Sequence, residues 1–469
     1  MTQTELTPSA SVIGKWKPYS AFKDSGVEWL GKIPTHWEVK RLKRMFRVIN
    51  GATPRGSESA YWDGEIPWVT PEDLGSLNNR VIISTARMIT EEGYQSCGTS
   101  LVPTGSLVLS TRAPIGHLAI AGISLCTNQG CRALVFRHNC DITFFFYQLL
   151  AMKRELQSWG QGSTFLELGK SKLEGVIILV PPTLEQRVIA SFLDRETARI
   201  NTLIAKKERL IELLQEKRAA LISHAVTKGL DPKVPMKDSG VEWLGEIPVH
   251  WEVKRLKFAA SFYGGGTPFK ENLEYWSGDI PWVSPKDMKS EIINDSEDHI
   301  TKKAIENSST RLVQPGAVLV VVRSGILRHS IPVAINSRPI ALNQDMKAIV
   351  PNPFLTPEYL SSVIRGHQDA LLVEWRKEGA TVESIEYELL VNTTCPIPPR
   401  SGQQAIIAYL KSETAKIDAL VSRIQEGIGK LKEYSTALIS AAVTGKIDVK
   451  GETASQDEEK LIKFDNQDR

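Results

Sequence analysis

Several features that would place the protein in a familiar class are scarce or missing from its sequence. Cysteine occurs at five of 469 positions, which are Cys97, Cys126, Cys131, Cys140 and Cys395. No two of them have the Cys-x-x-Cys spacing, which favours reduced structural thiols. The longest apolar runs, Val176–Val180 and Ala317–Val322, are far shorter than the ~20 residues of a membrane span. The N-terminal residues also lack the order of a signal peptide, so we expect a cytoplasmic protein without a transmembrane helix.

Motifs for catalysis are missing as well. The sequence has no Gly-x-x-x-x-Gly-Lys-Ser/Thr, no His-Glu-x-x-His and no Gly-x-Gly-x-x-Gly after a strand. The two Pro-Pro pairs stand in VPPT and IPPR, which differ from the Asp/Asn-Pro-Pro-aromatic loop of amino-methyltransferases. A nuclease site needs two or three acids and a lysine at one metal, and the spacing of Asp279 and Lys286 is expected by chance. We therefore predict no catalytic residue, no metal ligand and no bound cofactor, as suits a protein that binds and positions.

The charge distribution gives one mild hint of a partner. The chain carries 57 basic and 54 acidic residues, a net charge of +3. From Asp448 onward there are seven acidic and four basic residues, so the preceding 447 residues have a net charge of +6. This bias is weak evidence for a polyanionic partner.

The chain is a tandem repeat. Lys23–Lys43 and Lys237–Lys257 agree at 19 of 21 positions with an offset of 214 residues. Later landmarks follow at similar offsets: a Gly-x-Thr-Pro segment, Ile-Pro-Trp-Val followed by an aspartate, an Asn-Gln pair, a Pro-Pro pair and an Ala-Leu-Ile-Ser segment. Solenoid repeats have periods of ~20–50 residues, so this much longer period indicates a duplicated domain pair.

Each copy divides into a globular part and a long helix. Short β-like runs punctuated by glycine and proline predict a mixed α/β (α+β) domain, and Pro-Pro followed by a long stretch without either residue predicts a helix. The predicted segments are an N-terminal segment 1–22, globular domain 23–182, long helix 183–230, linker 231–236, globular domain 237–399, long helix 400–447 and a charged, mobile tail 448–469.

The long helices carry a heptad-like pattern that predicts an antiparallel coiled coil. Forty-three residues, Leu184–Val226, would form a rod of ~65 Å. Lys207, Lys217, Gly427 and Gly429 interrupt the pattern. The alternative is that each helix folds back on its own globular domain. The predicted seam positions are Ile200, Leu203, Leu210, Leu214 and Leu221 in the first helix, and Ile417, Leu420, Ile424, Leu431, Tyr434 and Leu438 in the second.

In WLGKIPTHWEVKRLK and WLGEIPVHWEVKRLK the sequence resembles the specificity subunits of type I restriction–modification systems. Gly-x-Thr-Pro, the Ile-Pro-Trp-Val segment followed by Asp73 or Asp287, and Pro-Pro-x-x-x-Gln at the helix start agree with the same family. The resemblance covers about Lys23–Asp448. It implies that the globular parts are two target recognition domains and that the two helices pair as the central coiled coil.

The resemblance also implies a function and partners. Each recognition domain would read one half of a split, asymmetric double-stranded DNA sequence, and the helices would set the spacer. Two methylation subunits and two restriction subunits would join the chain. S-adenosylmethionine, ATP and magnesium are expected on those partners, which would carry out adenine-N6 methylation and ATP-dependent cleavage. The chain itself would be a non-catalytic subunit. The alternatives are a coiled-coil scaffold without a DNA role, a decayed specificity protein, or a metal-dependent nuclease with an unrecognised site.

DNA contacts are expected from basic and amide side chains on loops. For the amides found in both copies the alternative is that they brace a shared loop, and for each cation it is a solvated surface. Sequence discrimination is expected where the copies differ, in 75–100 and 138–160 against 289–310 and 353–377. The candidate DNA contacts are Thr53, Arg55, Arg80, Arg87, Arg112, Asn128, Gln129, Thr267, Lys270, Lys302, Lys303, Arg323, Arg328, Asn343 and Gln344.

Two further groups of matched residues are assigned other roles. Gln186 and Gln403 stand at the helix starts, where capping or docking of the methylation subunit is expected rather than DNA contact. The tryptophans of the repeated block are expected in the core, because aromatic side chains dominate core burial. These are Trp29, Trp37, Trp243 and Trp251.

Overall fold

The computed structural model of the protein describes residues 16–77, 79–161, 166–379 and 381–451. The described residues form two compact units, 16–206 with 426–451 and 207–425. Each unit therefore contains one globular domain and parts of both long helices. The tail predicted to be mobile lies outside the described residues from position 452 onward, and so do the first 15 residues of the N-terminal segment.

The globular domain of the first unit is built on short, mostly antiparallel strands. Their bounds are β1 Phe22–Asp24, β2 Lys32–Pro34, β3 Glu38–Arg41, β4 Phe46–Asn50, β5 Trp62–Val69, β6 Val81–Ile82, β7 Met88–Ile89, β8 Leu107–Ser110, β9 Leu118–Ala121, β10 Cys126–Thr127, β11 Cys131–Phe136 and β12 Ile177–Val180. The main sheet has the order β4-β11-β8-β9-β6, and a three-stranded sheet has the order β10-β5-β7. Parallel pairing joins β6 to β9 and β10 to β5. The strands predicted around Leu107 and Ile178 are confirmed.

Short helices pack against the main sheet. The helix with the sequence ITFFFYQLLA begins at an N-cap aspartate, Asp141, whose carboxylate accepts a hydrogen bond from the Phe144 amide at 2.9 Å. Phe144 and Phe145 are fully buried in the domain core. The helices up to the first long one are α1 Leu42–Met45, α2 Pro71–Gly75, α3 Glu91–Gln95, α4 Ile142–Ala151, α5 Lys153–Ser158, α6 Lys170–Gly175 and α7 Thr183–Lys228.

The second domain repeats this topology. Its strands are β13 Met236–Asp238, β14 Glu246–Pro248, β15 Glu252–Arg255, β16 Ala260–Gly264, β17 Ile280–Val283, β18 Ile292–Ile293, β19 Asp298–Ile300, β20 Val318–Val321, β21 Val333–Asn336, β22 Ala341–Leu342, β23 Met346–Pro351 and β24 Thr394–Ile397. The sheet orders β16-β23-β20-β21-β18 and β19-β17-β22 match those of the first domain strand for strand. Its helices, with the second long helix, are α8 Leu256–Ala259, α9 Lys302–Glu306, α10 Pro357–Gly366, α11 Gln368–Trp375, α12 Tyr387–Asn392 and α13 Arg400–Val443.

The two long helices run antiparallel within each unit. The first unit contains the start of α7 with the end of α13, and the second unit contains the opposite halves. In the second unit, the Arg218 guanidinium lies 2.9 Å from the Asp418 carboxylate across the helix pair. Ala225 and Val226 of α7 enter the core of the second domain, while Val443 of α13 enters the core of the first. Antiparallel pairing is confirmed, and the alternative of each helix folding back on its own domain alone is wrong.

The register of the helix seam differs from the prediction at three positions. Leu203, Leu210 and Leu420 are 43%, 45% and 46% exposed. The more covered positions of the first helix are Ile200, Ile204, Lys207, Ile211, Leu214, Arg218 and Leu221, and those of the second include Ile417, Val421, Ile424, Leu431, Tyr434 and Leu438. The first series alternates steps of four and three, as a heptad does, and the second begins with the same steps, from Ile417 to Val421 and from Val421 to Ile424. Each misassigned leucine stands directly before an isoleucine or valine that takes its place. Lys207, predicted as a break, belongs to the seam because its aliphatic stem can cover apolar surface.

Candidate nucleic-acid interface

Both domains present the same Gly-x-Thr-Pro turn. The Thr53 hydroxyl donates a hydrogen bond to the Gln129 side chain, and Thr267 does the same to Gln344. The tryptophan of the Ile-Pro-Trp-Val segment also fixes this turn. In the first domain Trp68 Nε1 donates a hydrogen bond to the Ala52 carbonyl at 2.9 Å. In the second domain Trp282 Nε1 donates to the Gly266 carbonyl at the same distance. The candidates Thr53, Gln129, Thr267 and Gln344 therefore form two equivalent, exposed polar pairs.

The first glycine of the turn permits this close approach. A Cβ atom on Gly51 would lie 1.9 Å from the carbonyl oxygen of Asn128, and one on Gly265 would lie 1.9 Å from that of Asn343. No side chain fits at such a distance. The Gly-x-Thr-Pro turn and the Asn-Gln turn are thus in backbone contact in both domains.

The asparagines of the Asn-Gln pairs brace their own turns. The Asn128 side-chain oxygen accepts a hydrogen bond from the Gly130 amide at 2.9 Å, and the Asn343 oxygen accepts one from the Asp345 amide at 3.0 Å. The Asn343 amide also donates to the Asp345 carboxylate at 3.3 Å. These bonds support the loop-bracing alternative for both asparagines, and their glutamine neighbours remain exposed.

The aspartate after Ile-Pro-Trp-Val also has a structural role. Asp73 accepts a hydrogen bond from the Thr70 amide at 2.8 Å as part of a capping box, and another from the Ala86 amide at 2.9 Å. Asp287 accepts matching bonds from the Ser284 amide at 2.8 Å and the Glu297 amide at 3.0 Å. Asp73 therefore fixes the loop before β7, and its counterpart Asp287 fixes the loop before β19.

Exposed side chains at the turn differ between the domains. The Trp62 indole donates to the carbonyl of Arg55 at 3.3 Å, and the Trp276 indole donates to that of Phe269 at 3.3 Å. The structural counterpart of Arg55 is thus Phe269, which is 64% exposed. The candidate Lys270 follows Phe269 in the chain and is exposed as well.

One candidate arginine lies over the aromatic pair of the first domain. The Arg87 guanidinium carbon is 3.6 Å from the centroid of the Trp62 ring and 5.7 Å from that of Trp68. The two indoles meet edge to face with centroids 5.1 Å apart. A guanidinium stacked on an aromatic face keeps its N–H groups free at the edge. Arg87 is therefore preorganised and exposed.

The candidate Arg80 forms an ion pair with the first long helix. Its guanidinium is paired with the carboxylate of Asp194 on α7, with an Nη2–Oδ2 distance of 2.9 Å, and it approaches the Tyr147 hydroxyl at 3.5 Å. This hydrogen bond to Asp194 raises the pKa of Arg80 further above its ordinary value. A charged pair of this geometry ties the globular domain to the long helix. Arg80 is therefore held against α7 instead of being free at the surface.

Four other candidate cations form ion pairs on the surface. Arg112 lies 3.0 Å from Glu167, and its counterpart Arg323 lies 2.6 Å from Asp345. Lys303 is 3.1 Å from Glu274, and Arg328 is 3.4 Å from Glu383. Ion pairs near the surface contribute about 0–1 kcal/mol, so these cations are held only weakly. Lys302 is exposed at the start of α9.

The matched glutamines at the helix starts are buried, which contradicts docking of a subunit on them. Gln186 is 2% exposed, accepts from the Asp141 amide at 2.9 Å and donates to the Pro181 carbonyl at 2.8 Å. Gln403 is fully buried and accepts from the Thr356 amide at 2.8 Å. Asp141 and Thr356 are the N-caps of α4 and α10. Each glutamine therefore joins a long helix to a domain helix.

The repeated tryptophans belong to the cores. Trp37 is fully buried and Trp251 is 4% exposed, while Trp29 and Trp243 are half-buried against the same clusters. In the first unit the Trp37 indole donates to the buried carboxylate of Glu185 at 2.9 Å. Their prediction as core residues is confirmed.

Sequence reasoning missed three charged residues next to the Ile-Pro-Trp-Val strands, of which Glu72 and Lys286 are exposed and Asp298 is partly exposed. It also missed a basic surface on β3 and α1 that includes Lys40, Arg41, Lys43 and Arg44. The doubled segment EVKRLK was a usable signal, because three of those cations recur in the second copy.

The described residues contain neither a cluster of metal-binding side chains nor a membrane-spanning helix. Among those residues no group of three or more histidine, cysteine, aspartate or glutamate side chains is placed to hold a metal ion. No helix there is both long enough and apolar enough to span a bilayer. The five cysteines are free thiols, and burial raises the pKa of Cys126 to about 11 and that of Cys395 to about 12.

A family model, described as the type I restriction modification DNA specificity domain, matches the chain twice, over residues 34–213 and 248–429. The protein therefore belongs to the type I restriction–modification DNA specificity family. It is a specificity subunit with two repeated recognition domains, a class without catalytic activity of its own, and the catalytic activities lie on partner subunits.

Relatives and solved structures agree with this membership. The chain is 27% identical over 441 residues to the type I restriction enzyme MjaIX specificity subunit of Methanocaldococcus jannaschii, covering 93% of this chain and 98% of that one. It is 37% identical over 201 residues to the EcoR124I/EcoR124II specificity subunit of Escherichia coli, covering 42% and 46% of the two chains.

Two solved structures share the fold. A chain from a structure of type I R-M complex assembly and conformational transition has a TM-score of 0.66, with 17% identity over 88% of this chain and 99% of that one. The HsdS subunit from Thermoanaerobacter tengcongensis has a TM-score of 0.51 and 17% identity, covering 88% and 98%.

Proposed function

We propose that each globular domain reads one half of a bipartite, asymmetric DNA target, while α7 and α13 set the spacer and dock the methylation subunits. The chain thereby directs adenine-N6 methylation and ATP-dependent restriction by its partners in the cytoplasm. The observation that carries the proposal is the duplicated, braced turn, which presents different side chains in the two domains, Arg55 in one and Phe269 in the other. A common frame with different exposed groups suits two domains that read different bases.

The partners are two methylation subunits and two restriction subunits. S-adenosylmethionine, ATP and magnesium belong to those partners in this proposal, and the present chain binds none of them. Arg55, Arg87, Lys270, Lys302 and the exposed turn glutamines are the DNA contacts we favour. Arg112, Arg323, Lys303 and Arg328 become available when DNA phosphate replaces their carboxylate partners.

The proposal is tested by co-expression with the partner methylation subunit in a bacterium without its own DNA methylation, followed by modification-sensitive genome sequencing. We expect one split motif with N6-methyladenine on both strands. The methylation subunit expressed alone is the control and should give no such motif. An assembled complex without any motif would contradict the proposal, and a metal-dependent nick made by the isolated chain would favour a nuclease instead.

A further inference from the structure

The strand that contains Ile-Pro-Trp-Val has an equivalent neighbour in each domain. In the first domain the Trp68 amide donates to the carbonyl of Arg87 at 3.3 Å. In the second domain Trp282 lies opposite Asp298 in the β17–β19 ladder. Since Trp68 and Trp282 are matched residues, position 87 corresponds to position 298. The offset here is 211 instead of 214, because the connecting loop of the second domain is three residues shorter.

A second pair of matched positions lies beside this one. Glu72 and Lys286 directly precede the aspartates Asp73 and Asp287. Those aspartates hold the loop that leads to position 87 or 298, as described above, so the two positions are neighbours in both domains. In the first domain Glu72 and Arg87 line one surface groove.

The charges at these two positions are reversed between the domains. The first domain has an acid at 72 and a base at 87, and the second has Lys286 and Asp298 with a nitrogen–oxygen distance of 2.9 Å. The Lys286 ammonium also lies 3.2 Å from Glu297. The side chains of Lys286 and Asp298 are 45% and 40% exposed, and those of Glu72 and Arg87 are exposed as well.

We propose that this charge-reversed pair determines which base each domain selects. The inference rests on the proposed function and names the residues that would give the two domains different targets. Arg87 donates hydrogen bonds that suit the two acceptors of a guanine edge, whereas Asp298 accepts and suits the amino group of cytosine. At the neighbouring position the order is reversed, with an acceptor at Glu72 and a donor at Lys286. A surface ion pair is weak enough to exchange its partner for a base.

The test exchanges the charges within one domain at a time. The double variant Glu72→Lys with Arg87→Asp should change the half-site read by the first domain and leave the other half intact. Lys286→Glu with Asp298→Arg should change only the opposite half. We expect a roughly tenfold loss of preference for the original base pair, since a good side-chain contact to a base contributes about 1–3 kcal/mol. Each variant is co-expressed with the methylation subunit, and methylated motifs are sequenced.

A charge exchange elsewhere provides the matched control. Lys170 and Glu174 form an ion pair of 3.8 Å on α6 of the first domain, at residues with no assigned role in binding. Lys170→Glu with Glu174→Lys should leave both half-sites unchanged. Assembly of every complex is verified by size-exclusion chromatography. If a double variant fails to assemble, the conservative variants Arg87→Lys and Asp298→Asn replace it, with relaxed preference at one position as the expected result.

The outcomes separate this inference from the function on which it rests. If the wild-type chain yields no split motif, the proposed function fails. If the wild type yields a motif that both charge exchanges leave unaltered, the inference is overturned and the function stands. Uniform weakening of methylation with no change in base preference would also overturn it, because that result marks phosphate contacts.

Discussion

Replacement of Glu185 by alanine is expected to destabilise the first unit by about 3 kcal/mol. This carboxylate is 5% exposed and accepts hydrogen bonds from the Tyr19 hydroxyl at 2.7 Å and the Trp37 indole at 2.9 Å. His36 lies 2.8 Å away and the Lys450 ammonium 3.1 Å away. Removing the carboxylate leaves the buried Tyr19 hydroxyl and the buried Trp37 indole without their acceptor, and unpaired buried polar groups are costly.

Thermal unfolding followed by circular dichroism measures this effect. The matched position in the second unit is a glycine, Gly402, so the transition of that unit should not move. Glu28→Ala provides a control because Glu28 is an exposed acid of the same repeated block. An equal and small shift for Glu28→Ala and Glu185→Ala would contradict the role assigned to the buried carboxylate.

The Glu185 contribution should depend on pH. Burial acts to raise its pKa, but hydrogen bonds from Tyr19, Trp37, His36 and Lys450 outweigh burial and hold the pKa below its ordinary value of 4.5. A carboxylate with a lowered folded-state pKa stabilises the fold fully above the unfolded pKa, and the contribution is lost as pH falls through the folded value. The stability difference between wild type and Glu185→Gln should therefore narrow in acid, as urea unfolding at pH 7 and pH 3 would show.

Gly51→Ala is expected to reduce methylation of the split target at least tenfold. Its Cβ would lie 1.9 Å from the Asn128 carbonyl and 2.4 Å from that of Thr127, both backbone atoms that cannot rotate away. The Gly-x-Thr-Pro turn and the Asn-Gln turn must then separate. A misplacement of this size at a recognition surface is enough to lose base contacts.

The control for this prediction is Gly56→Ala in the same loop. A Cβ on Gly56 would meet nothing within 4 Å, so methylation should persist. Gly265→Ala in the second domain should match Gly51→Ala, because its Cβ would also lie 1.9 Å from a backbone carbonyl. Methylation rates of the assembled complexes are the measurement. Equal activity of Gly51→Ala and Gly56→Ala would show that this turn does not take part in recognition.

The architecture could be predicted because the sequence contains two copies of the same unit. Matched blocks at a nearly constant offset fix the domain repeat, and prolines mark the helix starts. The seam register could not be predicted at Leu203 and Leu210, since each stands before an equally apolar isoleucine. Only the packing of the two helices determines which of two adjacent apolar residues lies in the seam. In the structure these residues are Ile204 and Ile211.

The candidate surface was predicted less completely, because charge alone does not reveal a partner distant in the chain. Arg80 appeared as a free cation, but its carboxylate partner, Asp194, is 114 residues away. Asp298 was missed because a loop shortened by three residues breaks the constant offset, so only the strand pairing identifies it as the counterpart of Arg87. Gln186 and Gln403 were placed at the helix starts, but their bonds to the N-caps of α4 and α10 required the fold.

The most direct test of the central claim is a chain in which Lys23–Pro182 is replaced by Lys237–Pro399, so that the second recognition domain is present twice. The junctions are compatible, because Gln186 and Gln403 make the same bond to an N-cap amide and both blocks carry the His-Trp pair that faces Glu185 in the first unit. Co-expressed with the methylation subunit, this chain should methylate an inverted repeat of a single half-site. A motif that keeps the half-site of the removed domain would contradict the account.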